Sequence, residues 1–228
     1  MAGGDVANMG DWAFYEQHFA HARLQHYLAR TSGDAAAAME LYRWNVAVSG
    51  AFWQSLAYFE VALRNRLDDR MTLRHTARGR SGHWVFDDAR ELGRDANGPG
   101  RHRQPYKDID RAKQRVRDNR KTMSAGQIIS EVSFGFWHQM VSRRQMALWP
   151  DLADAFFHAP NRAQPTVQQP VERLREFRNR NGHHHRVWSE DVQGRYDDLL
   201  GVAGFIDPDL RIFIDRHSLV PRLIAACP

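Results

Sequence analysis

Residues 49–67 read SGAFWQSLAYFEVALRNRL. Phe52, Leu56, Phe59, Leu63 and Leu67 recur at steps of four, three, four and four. On a helix of about 3.6 residues per turn that spacing stacks them into one apolar stripe, which must be covered by other elements. Nothing elsewhere competes with a helical reading. The chain has no strand-length alternation, no glycine-rich phosphate loop, no dinucleotide fingerprint, no metalloprotease motif and no internal repeat. The pattern predicts an all-α protein built as a helical bundle.

Upstream, Asp11 is placed to cap a helix running to about Arg30, with Trp12, Tyr15, Phe19, Leu24, Tyr27 and Leu28 on its apolar side. A turn at Ser32-Gly33-Asp34 precedes an alanine-rich helix, and Ser49-Gly50 is expected to bend the chain before the stripe begins. Downstream, residues 76–104 read as a long loop with a short element at Trp84-Val85-Phe86. The helix expected over 106–121 shows no ordinary amphipathic pattern. Residues 101–120 hold eight Lys/Arg, Arg101 and Arg103 among them, against three Asp. That excess of five equals the formal charge of the whole chain, +5. A solvated charged helix and a backbone-tracking RNA contact through Arg111, Lys113, Arg115 and Arg117 both fit it.

From Ser124, apolar residues cover nearly every side of a predicted helix, as in the centre of a bundle, and Gly135 suggests close approach of a neighbour. Shorter helices are expected over 152–158, from Asp191 to Ile206 and after Asp207-Pro208, with Pro221 ending useful structure. Residues 1–10 are read as a flexible N-terminus, 11–217 as one domain and 218–228 as a tail. The single Cys227 excludes an internal disulfide and a cysteine-based zinc site, which fits a reducing cytoplasm. No signal peptide is expected at the start, and no segment is expected to be long and clean enough to span a bilayer.

Residues 172–188, ERLREFRNRNGHHHRVW, concentrate the chemistry. Val171, Leu174 and Phe177 give the run a helical start, and Asn179 and His183, four apart, share a face on a continuing helix. Arg178 lies about 140° around the axis from His183, so one ideal helix does not aim both at one atom. Gly182 is expected to end the helix and release the histidines. Histidine titrates near neutrality and guanidinium grips phosphate oxygens in pairs, a combination suited to acid–base chemistry on a phosphodiester. Cations closing a helix end, a solvated histidine loop or an adventitious nickel or zinc site remain as alternatives. Glu60, Arg64 and Asp68, four apart, form a possible ion-pair ladder.

The run RNRNGHHH resembles the C-terminal signature of the Abi-like (abortive infection) proteins, a bacterial branch of the HEPN superfamily. That signature is similar to Arg-Asn-x-x-x-His followed by a second histidine, carried here by Arg178, Asn179, His183 and His184. Residues 49–67 and 124–143 match the same family in order; Asn181, Gly182 and His185 depart from its usual residues. The resemblance implies a HEPN-like bundle with a long basic loop and helix inserted between 76 and 121. It implies a metal-independent endoribonuclease of abortive-infection or toxin type, needing no cofactor. His183 would move protons, Arg178 clamp the phosphate and Asn179 orient either, with His184, Glu60, Arg64 and Asn65 in support. RNA, a second copy of the chain, and an antitoxin or phage-derived trigger are the partners it implies, with no membrane. The rival expectation is a helical RNA- or protein-binding module that has lost catalysis.

Overall fold

The computed structural model describes residues 12–87, 92 and 104–228. Among these residues there is no strand, and the architecture is all-α as the sequence predicts. In chain order the helices are α1 (Trp12–Phe19), α2 (His21–Arg30), α3 (Ala35–Ala77), α4 (Gln104–Asp118), α5 (Ala125–Glu131) and α6 (Phe134–Met140). They continue with α7 (Trp149–Leu152), α8 (Gln164–Gly182), α9 (Val192–Ile206), α10 (Pro208–His217) and α11 (Val220–Ala225).

Helix α3 organises the rest. Asp34 caps it by accepting from the Ala37 N–H at 3.1 Å, and alanines at 35–38 favour the first turn. Its 43 residues run unbroken, about 64 Å at 1.5 Å per residue. The expected bend at Ser49-Gly50 does not occur: both residues are helical, and Gly50 faces open space. Phe52, Leu56, Phe59, Leu63 and Leu67 are all buried, and Val48, Met71 and His75 extend the stripe at either end. Each such fully buried apolar side chain contributes about 1.5–3 kcal/mol, so Leu63→Ala would cost more than any surface change nearby.

One 18-residue window of α3 has a mean hydropathy of 1.2, enough by length and composition to cross a membrane. The expectation that no segment is so apolar is therefore corrected. Here its apolar stripe is the centre of a protein core that runs from Tyr27 to Val220.

Two predicted helices are divided. The stretch up to Arg30 breaks at Ala20, which sits at φ 62°. The break lets Tyr15 of α1 and Tyr27 of α2 approach Tyr42 of α3 from two directions, with ring centroids 5.7 and 5.1 Å from it. The apolar run from Ser124 breaks at Val132 and Ser133, both extended. On the two sides of the break, α5 buries Ile128 and Ile129 and α6 buries Phe134, Phe136, Trp137 and Met140. Gly135 meets only the Ser133 hydroxyl, at 3.5 Å, so no helix approaches it closely. Structure also continues past Pro221: α11 packs on α3, and the Trp44 indole donates to the Leu223 carbonyl at 2.6 Å.

Helix α4 corrects the reading of the basic stretch. Pro105, Ile109, Ala112 and Val116 recur at four, three and four and are all buried, giving a narrow apolar face beneath the charges. Arg101 and Arg103 lie outside the described residues, as do residues 1–11 and most of the loop before α4.

Candidate functional site

Helix α8 buries Val167, Val171, Leu174, Phe177 and Asn181. It lies chiefly along α9 and meets α3 towards its own C-terminal end, where Phe177 packs on Phe52 at 4.6 Å between centroids. Asn181, 1% exposed, donates from Nδ2 to the Ser49 carbonyl at 3.0 Å. A side chain without an amide there would leave that link unmade.

The helix then closes with paired backbone bonds, His185 N–H to the Arg180 carbonyl and His184 N–H to the Asn181 carbonyl, both 2.9 Å. This is the arrangement in which one residue past the cap turns left-handed. That residue is His184, at φ 55°. Gly182, expected to supply the turn, is the last helical residue, and a Cβ on it would lie 3.4 Å from the Trp53 ring. The turn is held from three sides. Arg23 of α2 donates to the His184 carbonyl. Arg180 pairs with Glu190 at 2.8 Å. Asn45 of α3, 3% exposed, accepts from the Val187 N–H at 2.7 Å and the Trp188 N–H at 3.4 Å.

Arg178 is half-buried, with its guanidinium carbon 5.1 Å from the centre of the Trp53 ring and its Nε without a hydrogen-bond partner. It faces Glu60. Burial raises the Glu60 carboxyl above its ordinary value, while Arg178, Arg64 and the backbone amide of Phe134 pull it down. Glu60 and Arg64 therefore share the electrostatic environment of Arg178. Asn65 is exposed and only accepts from its neighbour Arg64, at 3.4 Å.

The ion-pair ladder from Glu60 to Asp68 does not form. Asp68 instead accepts from the Trp84 indole at 2.6 Å and lies 3.3 Å from His83.

Asn179 and His183 are exposed, and the His183 N–H donates to the Asn179 carbonyl at 3.1 Å. Among the described residues no hydrogen bond joins their side chains to each other or to Arg178. The nearest ring to His183 is His185, 6.1 Å away between centroids. His184 lines two hollows, of about 200 and 220 Å³, that also take in Arg23. The larger reaches Trp53 and Asn181; the smaller collects His26, Arg180, His185 and Arg186. Among the described residues no cluster of His, Cys, Asp and Glu is arranged to hold a metal ion.

On α4 the cations are partly committed. Arg111 lies 3.6 Å from Asp108, Arg115 lies 3.3 Å from Glu131, and Arg117 donates to Gln114 at 3.3 Å. Lys113 sits over the Phe86 ring at 5.5 Å. The Arg111 side chain is still 66% exposed, so it is open to solvent anions.

Sequence reasoning missed Trp53, Asn45 and Arg23. Trp53 was findable: it precedes Glu60 by seven residues and Arg64 by eleven, which places all three on one face of a helix. Arg23 and Asn45 reach the signature only through tertiary folding, and no spacing announces them.

Compared with known families, residues 11–189 match the model described as Abi-like protein. No curated protein and no solved structure matches the chain.

Proposed function

The chain belongs to the Abi-like protein family, and from that premise we propose that it is a metal-independent endoribonuclease of abortive-infection or toxin type with a HEPN-like site. The observation that carries this reading is Arg178. Its guanidinium is stacked on an aromatic ring, its Nε has no partner, and no direct ion pair with Glu60 occupies it. A planar cation held in place and left open is suited to two oxygens of a phosphate.

RNA brings its own nucleophile. The 2′-OH loses its proton to His183 and attacks the adjacent phosphorus, Arg178 stabilises the charge that gathers on the phosphoryl oxygens, and the 5′-oxygen departs with a proton from a second imidazolium, that of His183 in the other copy of the chain. Asn179 orients the imidazole or the phosphate, and His184 assists. The products carry a 2′,3′-cyclic phosphate and a 5′-OH. Glu60 and Arg64 set the charge around Arg178. Arg111, Lys113, Arg115 and Arg117 track the RNA backbone.

A two-fold dimer completes the site. Val46, Trp53 and Val61 are 55%, 36% and 45% exposed. With Gly50 and Ala57 they form an apolar stripe on the outer side of α3, beside the end of α8. An isologous contact along that stripe brings the signature of one copy next to its mate, so that Arg178 and His183 act from different chains.

The test is cleavage of end-labelled RNA by the purified chain in excess chelator. The expected result is cyclic-phosphate ends from the wild type and none from His183→Ala or Arg178→Ala at unchanged melting temperature. Mixing the two variants restores part of the activity. Cleavage by a folded His183→Ala chain would sink the assignment. A binding module without catalysis is the second reading, favoured by the lack of a hydrogen bond among Arg178, Asn179 and His183 side chains. RNA binding without cleavage in the same assay selects it.

A further inference from the structure

A large polar cleft lies away from the signature. It opens between the start of α4, α6, the 3-10 segment Arg143–Leu148 and the N-terminal half of α8, with a volume of about 640 Å³. Small-molecule sites run to about 300–1,000 Å³, so a ligand of nucleotide size fits.

Arg143 and Arg175 line it, and among the described residues neither has a hydrogen bond or ion pair. Of the carboxylates on its wall, Asp108 is already engaged by Gln104 at 2.9 Å, Gln139 at 3.1 Å and Arg111 at 3.6 Å. Glu172 remains as an open acceptor.

Two further atoms on this wall have no partner. His138 is only 8% exposed, and its Nε2 is buried without a hydrogen bond. Gln139 is fixed by its bond to Asp108, which leaves its buried Oε1 unsatisfied. A buried polar atom left unpaired is costly, and a ligand carrying the matching group recovers that cost. Burial, with Arg175 and Arg144 nearby, brings the His138 pKa down to about 4 against the opposing pull of Glu176. Its imidazole is thus neutral at pH 7, with one nitrogen to donate and one to accept.

We propose that this cleft is a binding site for a nucleoside phosphate, with Arg143 and Arg175 on the phosphate and His138, Gln139 and Glu172 on the edge of the base. Guanidinium pairs match phosphate, and side-chain amides, carboxylates and neutral imidazole match the mixed donors and acceptors of a base. The same chemistry is met by a free nucleotide or by one unit of an RNA strand. The site requires neither Arg178 nor His183, so it stands whether or not the chain cuts RNA.

Calorimetric titration of the full chain with the four nucleoside monophosphates and with inorganic phosphate tests this. At least one nucleotide should bind at least tenfold more tightly than phosphate. An Arg143→Ala/Arg175→Ala chain should lose at least tenfold in affinity, while an Arg178→Ala/His183→Ala chain stays within twofold. His138→Gln, of similar polarity, should weaken binding less than His138→Phe. A 2′-O-methyl RNA, which cannot be cut, then separates the sources. Displacement of the nucleotide identifies the occupant as part of a strand; binding without displacement identifies a free nucleotide. No binding by any nucleotide, or loss of binding only in the Arg178→Ala/His183→Ala chain, overturns the site.

Discussion

Helices α3 and α8 end on the same backbone pattern with different residues in it. After α3, the Arg80 N–H reaches the His75 carbonyl at 3.4 Å and the Gly79 N–H reaches Thr76 at 2.9 Å, with Gly79 at φ 68°. After α8 the same two bonds are made by His185 and His184, and the left-handed position is occupied by His184 at φ 55°. Glycine takes that conformation freely, whereas a residue with a Cβ pays about 1–2 kcal/mol. A glycine is present in α8, at 182, but there it is the last helical residue, facing the Trp53 ring. The difference is one of support. The turn after α8 is pinned by Arg23, Glu190 and Asn45, and strained backbone persists where its surroundings over-determine it. The turn after α3 puts a glycine in the left-handed position, whereas the turn after the signature helix puts a histidine there and holds it by contacts with α2 and α3.

The largest test of that contrast removes the support. Asn45→Ala strands the Val187 and Trp188 amides, at a cost of about 1–3 kcal/mol. Denaturant unfolding should show the loss, and an unchanged midpoint would mean that the turn holds itself. Next is Gly79→Ala, which puts a Cβ in the left-handed position and should destabilise by about 1–2 kcal/mol. His184→Gly runs in the opposite direction. Relief of the left-handed strain, offset by the entropy glycine loses on folding, leaves a gain of about 0.5–1 kcal/mol. A lower melting temperature for this variant would show that the imidazole itself braces the turn. The smallest effect belongs to Gly182→Ala. Its Cβ would make an ordinary 3.4 Å contact with Trp53, so the helical preference of alanine should give about 0.5 kcal/mol of stabilisation. A clear loss in calorimetric melting would mean that Trp53 cannot move at all.

The stripe from Phe52 to Leu67 and the start of α8 were legible because their apolar spacing states both the helix and the side it buries. The family was legible from Arg178, Asn179, His183 and His184. Breaks were not. Ala20 and Val132 look like helix formers or neutral residues in isolation, and their conformations answer to Tyr42 and to the crowding of apolar groups around α5 and α6. The bend expected at Ser49-Gly50 failed for the opposite reason: packing on both sides of it outweighs the weak local preference of one glycine. At the site, Arg178 and Glu60 were readable as neighbours, and Trp53 by its register. Arg23 and Asn45, each more than 130 residues from what they hold, were not.

The bond from Val187 to Asn45 also fixes how fast the signature can open. That amide hydrogen points at a carboxamide buried in the flank of α3, so it meets solvent only when this part of the core separates. In deuterium exchange it should therefore follow the slow amides at the centre of α3, although its own segment is a short 3-10 turn. The histidine turn and the long helix would then belong to one cooperative unit, and the C-terminal end of α8 would not loosen without the core beside it.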